Sequence, residues 1–390
     1  MTLAVFVAGG VLLASHAAQA ARGRGAANAS HAGCRKDDGG GGGMKHQGLE
    51  RSTFLRAAAA AGALAGIPRI ASARDADVGK LYADAKREGT VTWWTAHYAE
   101  DAAQKVREAF KRKYPGIEVE VLRQTAQVIY QRAVQDFKAG VPSVDVLAST
   151  DEAHYPALTK LNALAAYAPP DLDALPPTLR ALADEATYHA GALRFVTLIY
   201  NPKKVARPQH WADLIDPRWK GQVTTGHPGF SGVVGAWVVA MNDKFGWSYF
   251  EKLAQNEPKI GRSVNETVTD IVSGERSIGG GPDALAFERK AGGSAIDVAF
   301  PEDDAILVVN PFAVMKNAPH PNAARLFANF YFSREYSQAL VDTYNFPMRS
   351  DIRAANGLRL ERIKYYRNKV ERLAVGIPEV VAKWRQTFGV

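Results

Sequence analysis

Residues 224–236, TTGHPGFSGVVGA, have the composition of an anion-binding segment. A short apolar strand pattern ends in a Gly/Pro loop, and an apolar helix pattern follows over residues 233–241. The first residues of such a helix, Ser231, Gly232 and Val233, present backbone N–H groups without partners, and the helix dipole adds positive potential there. The dipole alone favours an anion by roughly 0.3–2 kcal/mol. Ser231 could donate its hydroxyl to the anion or could instead cap the helix.

Polar loops follow three predicted strands in the first half of the chain. Strand patterns over residues 91–95, 117–122 and 144–148 alternate with helix patterns over residues 100–114 and 127–139. This β-α-β-α-β order predicts parallel strands, and ligands gather at the carboxyl ends of such strands. The candidate ligand loops are Thr95-Ala96-His97-Tyr98, Arg123-Gln124-Thr125 and Ser149-Thr150-Asp151.

These loops must be positioned by a larger framework, and residues 195–200 are its centre. They are β-branched and aromatic and lack helical spacing, so they predict a buried strand that ends at Asn201 and Pro202. One α/β pattern precedes this strand and a second follows it, with a return strand over residues 301–310. The pattern predicts an α/β protein of two lobes, with residues 74–198 and 309–390 in lobe 1 and residues 199–308 in lobe 2. The alternative is an ordinary core strand in one large sheet.

Composition is typical of a soluble globular protein of about two domains. The chain has 390 residues, of which 47% are hydrophobic and 23% are charged. Its net charge is +8, but residues 1–73 account for +5, so the remainder does not call for nucleic acid as a partner. The only cysteine is Cys34, and we therefore expect no disulfide or thiol chemistry in the folded body.

The N-terminus carries two export-like segments in series. From Met44 a basic region, an Ala-rich run and a small-residue site at Ala71-Ser72-Ala73 form the three parts of a secretory signal. We expect residues 1–73 to be an export signal region, cleaved near Ala73, with residues 1–43 upstream of a true start at Met44. Ser52 replaces the second arginine of a twin-arginine pattern, so the export route stays open.

Several stretches together resemble a known family. They are TWWTAHYAE, FKRKYPGIEVEV, VDVLAS, LIYNPKKV, WADLIDPRWKGQV, VNETVTDIVSGE, KNAPHPNAARLFANFYFS and FPMRSD. In this order they resemble the substrate-binding proteins of bacterial ABC importers, specifically the ferric-ion-binding-like group of extracellular solute-binding family 1. The resemblance implies a two-lobe periplasmic-binding-protein-like fold of type II. It also implies a periplasmic monomer that closes on a small solute and delivers it to a permease and ATPase in the inner membrane.

The resemblance also assigns roles to individual residues. It implies that Ser231, Gly232 and Val233, together with Asn265, hold an anion. The ferric members bind iron through two adjacent tyrosines, and the matching segment here, which contains Asp283, has none. Hard ferric coordination thereby loses its main phenolate donors.

The other ferric ligands map onto residues of the first half. The carboxylate ligand maps near Thr150 and Asp151, and the histidine near His97 or Tyr98. We therefore expect an organic anion and no metal. A ferric site with a synergistic anion, using His97 or Tyr98, is the alternative.

Two acids placed opposite the anion site would suit a zwitterionic solute. Asp283 and Asp151 could face the positive group of an aminophosphonate or amino acid, and Trp94 and Tyr98 could form its apolar or cation–π wall. Asp283 could equally cap the helix that follows it, and Trp94 could fill the core.

Enzymatic and nucleic-acid-binding functions find little support. The sequence has no HExxH, GxSxG, Walker or paired-cysteine pattern, and it implies no cofactor. A cleft enzyme using Asp151, Asp283 and His97 is the remote alternative. The basic run over residues 359–372 has helical spacing and predicts a solvated helix face, with no nucleic-acid partner.

Overall fold

The computed structural model describes residues 68–176, 179 and 187–390. Residues 1–67 of the predicted export region, including Cys34, lie outside the described residues. The predicted cleavage site at Ala71-Ser72-Ala73 falls inside the first helix, which begins at Pro68.

Helices and strands alternate along most of the described chain. The helices are α1 (Pro68–Glu88), α2 (Glu100–Lys113), α3 (Ala126–Lys138), α4 (His154–Lys160), α5 (Gly232–Phe245), α6 (Ser248–Gln255), α7 (Glu266–Val272), α8 (Asp283–Ala291), α9 (Pro321–Phe330), α10 (Arg334–Val341) and α11 (Val370–Phe388). The strands are β1 (Thr90–Thr95), β2 (Glu118–Arg123), β3 (Val146–Ala148), β4 (His189–Tyr200), β5 (Val223–Gly226), β6 (Lys259–Gly261), β7 (Ile278–Pro282), β8 (Asp297–Ala299), β9 (Ala305–Val314) and β10 (Tyr365–Tyr366). The strands predicted over residues 91–95, 117–122 and 144–148 and the two helices between them are confirmed to within two residues.

The sheet consists of two parallel blocks joined by two long strands. Its order is β2-β1-β3-β9-β4-β7-β5-β6, with β10 added to β9 and β8 to β4. Strands β2, β1 and β3 are parallel, as are β7, β5 and β6. Strands β9 and β4 run antiparallel to each other and connect the two blocks. Each block has the edge where loops follow parallel strands, which is where ligand sites form.

The two connecting strands contribute side chains to both of the large cores. In β9, Leu307 and Val309 belong to the core under α2, α9 and α10, whereas Ile306 and Val308 belong to the core under α5 and α6. This alternation follows from the two-residue period of a strand. Because both faces are covered, β4 and β9 are buried along their whole length, which explains their nearly unbroken apolar sequence.

The C-terminal segment differs from the sequence-based expectation. Residues 359–372 were predicted to be a helix face, but they form a 3-10 turn at Leu360–Arg362, strand β10 and only the start of α11. Helix α11 packs with α5 and α6 through Leu373, Ile377, Val380 and Trp384. The prediction placed all of residues 309–390 in lobe 1, but α11 packs in the core of the second block. The other lobe boundaries stay predictions.

Candidate functional site

Three helix-start loops and the ends of two strands meet at one cavity between the two parallel blocks. The lining residues are Ala96, Arg123, Gln124, Thr125, Ala126, Thr150, Arg194, Ser231, Val233, Ser263, Val264 and Asn265. The space open to the centre of a water molecule is about 20 Å³, which holds about one water. The residues singled out from the sequence that line this cavity are Ala96, Arg123, Gln124, Thr125, Thr150, Ser231, Val233 and Asn265.

Helix α5 begins at the cavity wall. Strand β5 ends at Gly226, and the loop that follows leads to Ser231, the N-cap residue of α5. The Oγ atom of Ser231 accepts a hydrogen bond from the N–H of Val234 at 3.4 Å, so Ser231 caps the helix and lines the cavity at once. The amides of Gly232 and Val233 stand in the first turn, where an α-helix offers no carbonyl partner. The helix dipole makes this wall positive.

Gly232 brings α5 into direct contact with the backbone after β3. A Cβ atom on Gly232 would lie 2.5 Å from the N atom of Asp151 and 2.6 Å from the C and O atoms of Thr150. A side chain at this position is therefore excluded by backbone atoms. This contact joins the end of β3 to the start of α5 and fixes Thr150 beside Ser231.

Two further polar side chains reach the cavity without a protein partner. Thr125 is the N-cap residue of α3 and Asn265 that of α7, yet neither side chain caps its helix. The Oγ1 atom of Thr125 and the Oδ1 atom of Asn265 are buried and accept or donate no hydrogen bond within the described residues. Buried polar atoms of this kind normally find a partner, so these two atoms are available to a bound solute or water.

Two arginines give the cavity its charge. Arg194 lies in β4 and is 5% exposed, and its guanidinium donates a hydrogen bond to the carbonyl of His97. The Nε atom of Arg123, at the end of β2, donates to the carbonyl of Tyr98 at 3.0 Å. Burial lowers the pKa of Arg194, and the carboxylate of Asp283 opposes that shift. No acidic side chain lines the cavity among the described residues.

Arg123 lies in a ligand loop predicted from the sequence, whereas Arg194 was not among the residues inferred from it. Arg194 interrupts an otherwise apolar run, ALRFVTLIY, in a strand that is buried on both faces. A fully buried arginine is rare unless it is paired or binds something. That signal was present in the sequence and identifies Arg194 as a candidate site residue.

The side chains expected to form an aromatic wall lie in the cores, and that expectation is corrected. Trp94 is 3% exposed and packs under the guanidinium of Arg132, whose Cζ atom lies 4.6 Å from the ring centroid. Tyr98 is 1% exposed, and its hydroxyl meets that of Tyr336. Thr95 is buried as well, and its Oγ1 atom accepts a hydrogen bond from the N–H of His97 at 3.1 Å. Ala96 is the residue of this loop that lines the cavity, and the carbonyls of His97 and Tyr98 hold the two arginines.

His97 is likewise a core residue and is not placed to bind a metal. Its Nε2 atom lies 2.9 Å from the carbonyl O atom of Pro311 and 3.3 Å from that of Ser149, so this nitrogen carries the proton. Burial lowers the pKa of His97 to about 3. Within the part of the chain that the structure describes, no group of three or more His, Cys, Asp or Glu side chains could hold a metal ion.

The burial of His97 predicts a specific loss of stability in acid. In the unfolded chain its pKa is about 6.5, whereas the folded protein keeps the ring neutral down to about pH 3. Its contribution to stability is therefore complete above pH 6.5 and falls by up to about 1.4 kcal/mol per pH unit as the pH drops toward 3. In His97→Gln, the free energy of unfolding should fall less between pH 6.5 and 4 than in the parent. Urea unfolding at several pH values measures both slopes, and equal slopes would contradict the assignment.

Asp151 and Asp283 are also directed away from the cavity, which corrects the expectation that they face a positive group. The Oδ2 atom of Asp151 lies 3.2 Å from Nε2 of Gln127 and 3.3 Å from Nε2 of His154. The Oδ1 atom of Asp283 accepts a hydrogen bond from the N–H of Phe195 at 3.2 Å. Asp283 is the first residue of α8, and Pro282 occupies the cap position, so Asp283 does not cap that helix.

The proposed acid–base set of Asp151, Asp283 and His97 is not assembled either. Asp151 instead takes part in a polar cluster in which Oγ of Ser149 lies 2.8 Å from Nδ1 of His154. Ser149 is fully buried and also accepts a hydrogen bond from the N–H of Asp151 at 3.2 Å. The cluster fixes the loop after β3 and does not open into the cavity.

The chain matches the model of a known protein family. A model of bacterial extracellular solute-binding proteins matches residues 142–365, more than half of the chain. No curated protein matches the chain at a significant level. None of the helices in the described segments is long and apolar enough to cross a membrane.

Solved structures with the same fold come from several periplasmic binding proteins. AfuA from Actinobacillus pleuropneumoniae, with bound fructose-6-phosphate, is 18% identical, with a TM-score of 0.70 over 77% of this chain and 99% of that chain. Iron-bound HitA from Pseudomonas aeruginosa is 22% identical, with a TM-score of 0.64 over 77% and 99%. A periplasmic thiamin binding protein is 16% identical, with a TM-score of 0.64 over 77% and 96%. These likenesses confirm the periplasmic-binding-protein-like α/β fold, and the family match shows that the chain belongs to the bacterial extracellular solute-binding proteins.

Proposed function

We propose that this protein is the solute-binding component of a bacterial ABC importer and that it captures a small organic anion bearing a phosphate, phosphonate or carboxylate group. One observation carries the proposal: Arg194, Arg123 and the start of α5 converge on a cavity that no acidic side chain lines among the described residues. Buried arginines bind such groups through paired hydrogen bonds. The absence of an acid from this lining set favours a simple anion over a zwitterion.

Capture requires that the two blocks separate and close again. The cavity holds about one water in this conformation, so a phosphate or carboxylate compound needs a wider site. Strands β4 and β9 connect the blocks and are the natural hinge. A solute that contacts Arg123 on one side and Ser231 on the other binds both blocks only when they close, and its binding energy then stabilises the closed state.

Export and partners follow from the same proposal. An extracellular solute-binding protein of this family would act in the periplasm, after removal of the signal near Ala73, and pass its solute to a permease and ATPase of the inner membrane. The monomer expected from the sequence suits that role, because each molecule has a complete cavity of its own.

A thermal-shift screen tests the class of solute. Binding raises the unfolding temperature in proportion to occupancy, so inorganic phosphate, methylphosphonate, fructose 6-phosphate and citrate should raise it, whereas thiamin should not. Ferric citrate compared with citrate alone separates the iron-binding alternative. No tyrosine, histidine or carboxylate lines the cavity among the described residues, so the iron should add nothing to the shift. A shift with the iron complex only would contradict the anion proposal.

Replacement of Asn265 with leucine should weaken anion binding. The side chain lines the cavity, and its Nδ2 atom can donate hydrogen bonds to an anion there. Loss of its amide should cost roughly 1–3 kcal/mol, which is about 5- to 150-fold in Kd. Asn242→Leu makes the same change near the far end of α5, away from the cavity, and serves as the matched control. Equal affinity of Asn265→Leu and the parent would show that the solute lies elsewhere.

A further inference from the structure

Asp283 is a buried carboxylate with one unused oxygen. It begins α8 beside β4 and is 1% exposed. Its Oδ1 atom accepts the hydrogen bond from Phe195, the residue that follows Arg194, whereas Oδ2 is buried and has no hydrogen-bond partner in the described structure. A buried acid normally satisfies both oxygens, so the free Oδ2 atom needs an explanation.

Arg194 is the cation that relates this carboxylate to the cavity. Its guanidinium lines the cavity and is attracted electrostatically to Asp283. The hydrogen bond to the carbonyl of His97 fixes its position. One buried positive charge is therefore shared by an internal carboxylate and by any anion that enters the cavity. Although Arg123 also faces the cavity, an anion bound to Arg194 competes with Asp283 for the charge of Arg194, and this raises the cost of keeping the buried carboxylate ionised.

We propose that Asp283 is the counter-charge of Arg194 and takes up one proton when an anion binds in the cavity. The proton comes from the solvent and bonds to Oδ2, the oxygen that has no partner. Asp283 thereby acts as a positioning residue that makes capture of the anion proton-coupled. This inference rests on the proposed anion site and adds a regulatory property to it.

The direction of the coupling follows from the charges. Burial raises the pKa of Asp283 to about 6, and Arg194 opposes that rise. A bound anion weakens the influence of Arg194 and raises the pKa further. Between about pH 6 and 8 the carboxylate is then ionised in the free protein and protonated in the complex. Affinity should rise as the pH falls through this window, by up to about tenfold per pH unit, and should level off below pH 6.

Burial moves the pKa values of the neighbouring His97 and Tyr98 away from this window. Tyr98, in the loop after β1, and Arg123, at the end of β2, interact electrostatically with Arg194. Burial raises the pKa of Tyr98 and lowers that of His97 to about 3. The remaining influences on Asp283 are backbone N–H groups of Phe195, Ala284 and Asp283 itself, which do not titrate.

Glu152 is a second buried carboxylate that could take up the proton and must be controlled. It is 3% exposed and is paired with Arg367, with 2.7 Å between Oε2 and Nη2. Burial raises its pKa to about 7. Because Glu152 lies outside the cavity lining, Glu152→Gln is the matched control for Asp283→Asn.

Isothermal titration calorimetry with two anions tests the proposal. Sulfate keeps its charge between pH 6 and 8, and inorganic phosphate serves as a second probe. At pH 7, in two buffers of different ionisation enthalpy, the parent and Glu152→Gln should each take up a substantial fraction of one proton per sulfate. Asp283→Asn should take up close to none, and its Kd for sulfate should vary less than twofold between pH 6 and 8.

The outcomes separate this inference from the proposed function. Binding of sulfate without proton uptake by the parent overturns the inference alone, as does uptake with sulfate that persists in Asp283→Asn. Phosphate exchanges a proton of its own in this pH range and therefore tests only whether an anion binds. Loss of uptake in Glu152→Gln assigns the proton to Glu152 and also overturns it. If neither anion binds, the anion site itself is wrong and the inference falls with it. Should Asp283→Asn fail to fold, the comparison of the parent with Glu152→Gln still decides.

Discussion

Replacing Arg194 with methionine is expected to abolish most anion binding. The guanidinium is buried, lines the cavity and is held in place by the carbonyl of His97. Hydrogen bonds from a charged group to a ligand in such a site contribute roughly 1.5–3 kcal/mol, and the lost charge adds to this. We therefore expect the Kd for phosphate or methylphosphonate to rise by at least about 100-fold, as measured by calorimetry. Arg132→Met removes a guanidinium that packs on Trp94 outside the cavity and should leave the Kd unchanged.

The same substitution should also destabilise the protein, with a characteristic pH dependence. Without Arg194 the carboxylate of Asp283 is buried and loses the positive charge that favours its ionised form, which destabilises the folded protein. The pKa of Asp283, already raised to about 6 by burial, should rise further. When a carboxyl group has a raised pKa in the folded state, the protein loses stability as the pH increases through that pKa. The deficit of Arg194→Met should therefore be larger at pH 8 than at pH 5.

A double substitution separates binding from folding. Arg194→Met combined with Asp283→Asn removes both charges, so the pH-dependent part of the stability loss should disappear. Anion binding should stay lost, because the cation that attracts the solute is still absent. Urea unfolding and calorimetry on the same samples measure the two effects. Recovery of binding in the double variant would contradict a direct role of Arg194 in the cavity.

The start of α5 could be located from the sequence because its signal is local. A Gly/Pro loop followed by an apolar helix predicts free amides at Ser231, Gly232 and Val233 wherever the helix lies in the fold. Strands and helices of the first block were also predictable, because their periodicity and their turn residues agree. The family resemblance added Asn265, whose short helix α7 carries no comparable local signal.

The opposite wall was not predictable, because tertiary packing decides which side of a loop faces the cavity. Tyr98 and His97 follow β1 as a ligand loop would, but their rings turn into the core against Tyr336 and the carbonyl of Pro311. Their carbonyls face the arginines instead. Arg194 was missed for a related reason: the strand pattern over residues 195–200 left it outside, whereas β4 begins at His189 and pairs Arg194 with Val308 of β9.

The position of Asp283 could not be predicted from local sequence either. The resemblance placed Asp283 in the segment where the ferric members carry two tyrosines, and this suggested a ligand residue. The pairing of Pro282 with Val196 brings its carboxylate under the backbone of β4 instead. Register between distant strands is a long-range property, so no local pattern around residue 283 could give it.

Replacing Gly232 with alanine is expected to impair both the site and the fold. The new Cβ atom would lie 2.5 Å from the N atom of Asp151 and 2.6 Å from the C and O atoms of Thr150. These are backbone atoms and cannot rotate away, so α5 or the loop after β3 must move. Overpacking of this kind costs typically about 1–3 kcal/mol of stability. Because the displaced elements carry Ser231 and Thr150, the Kd for phosphate should also rise, by about tenfold or more.

Gly235→Ala provides the matched control for this last prediction, because it lies one turn further along the same helix. A Cβ atom there would lie 3.1 Å from Cδ1 of Ile377, the end of a side chain that can adjust. Replacing a helical glycine with alanine gains about 0.5–1 kcal/mol of helix stability, so this variant should unfold at the same or a higher urea concentration and bind phosphate as the parent does. If Gly232→Ala behaved like Gly235→Ala in both measurements, the contact between α5 and the end of β3 would not be what holds the cavity together.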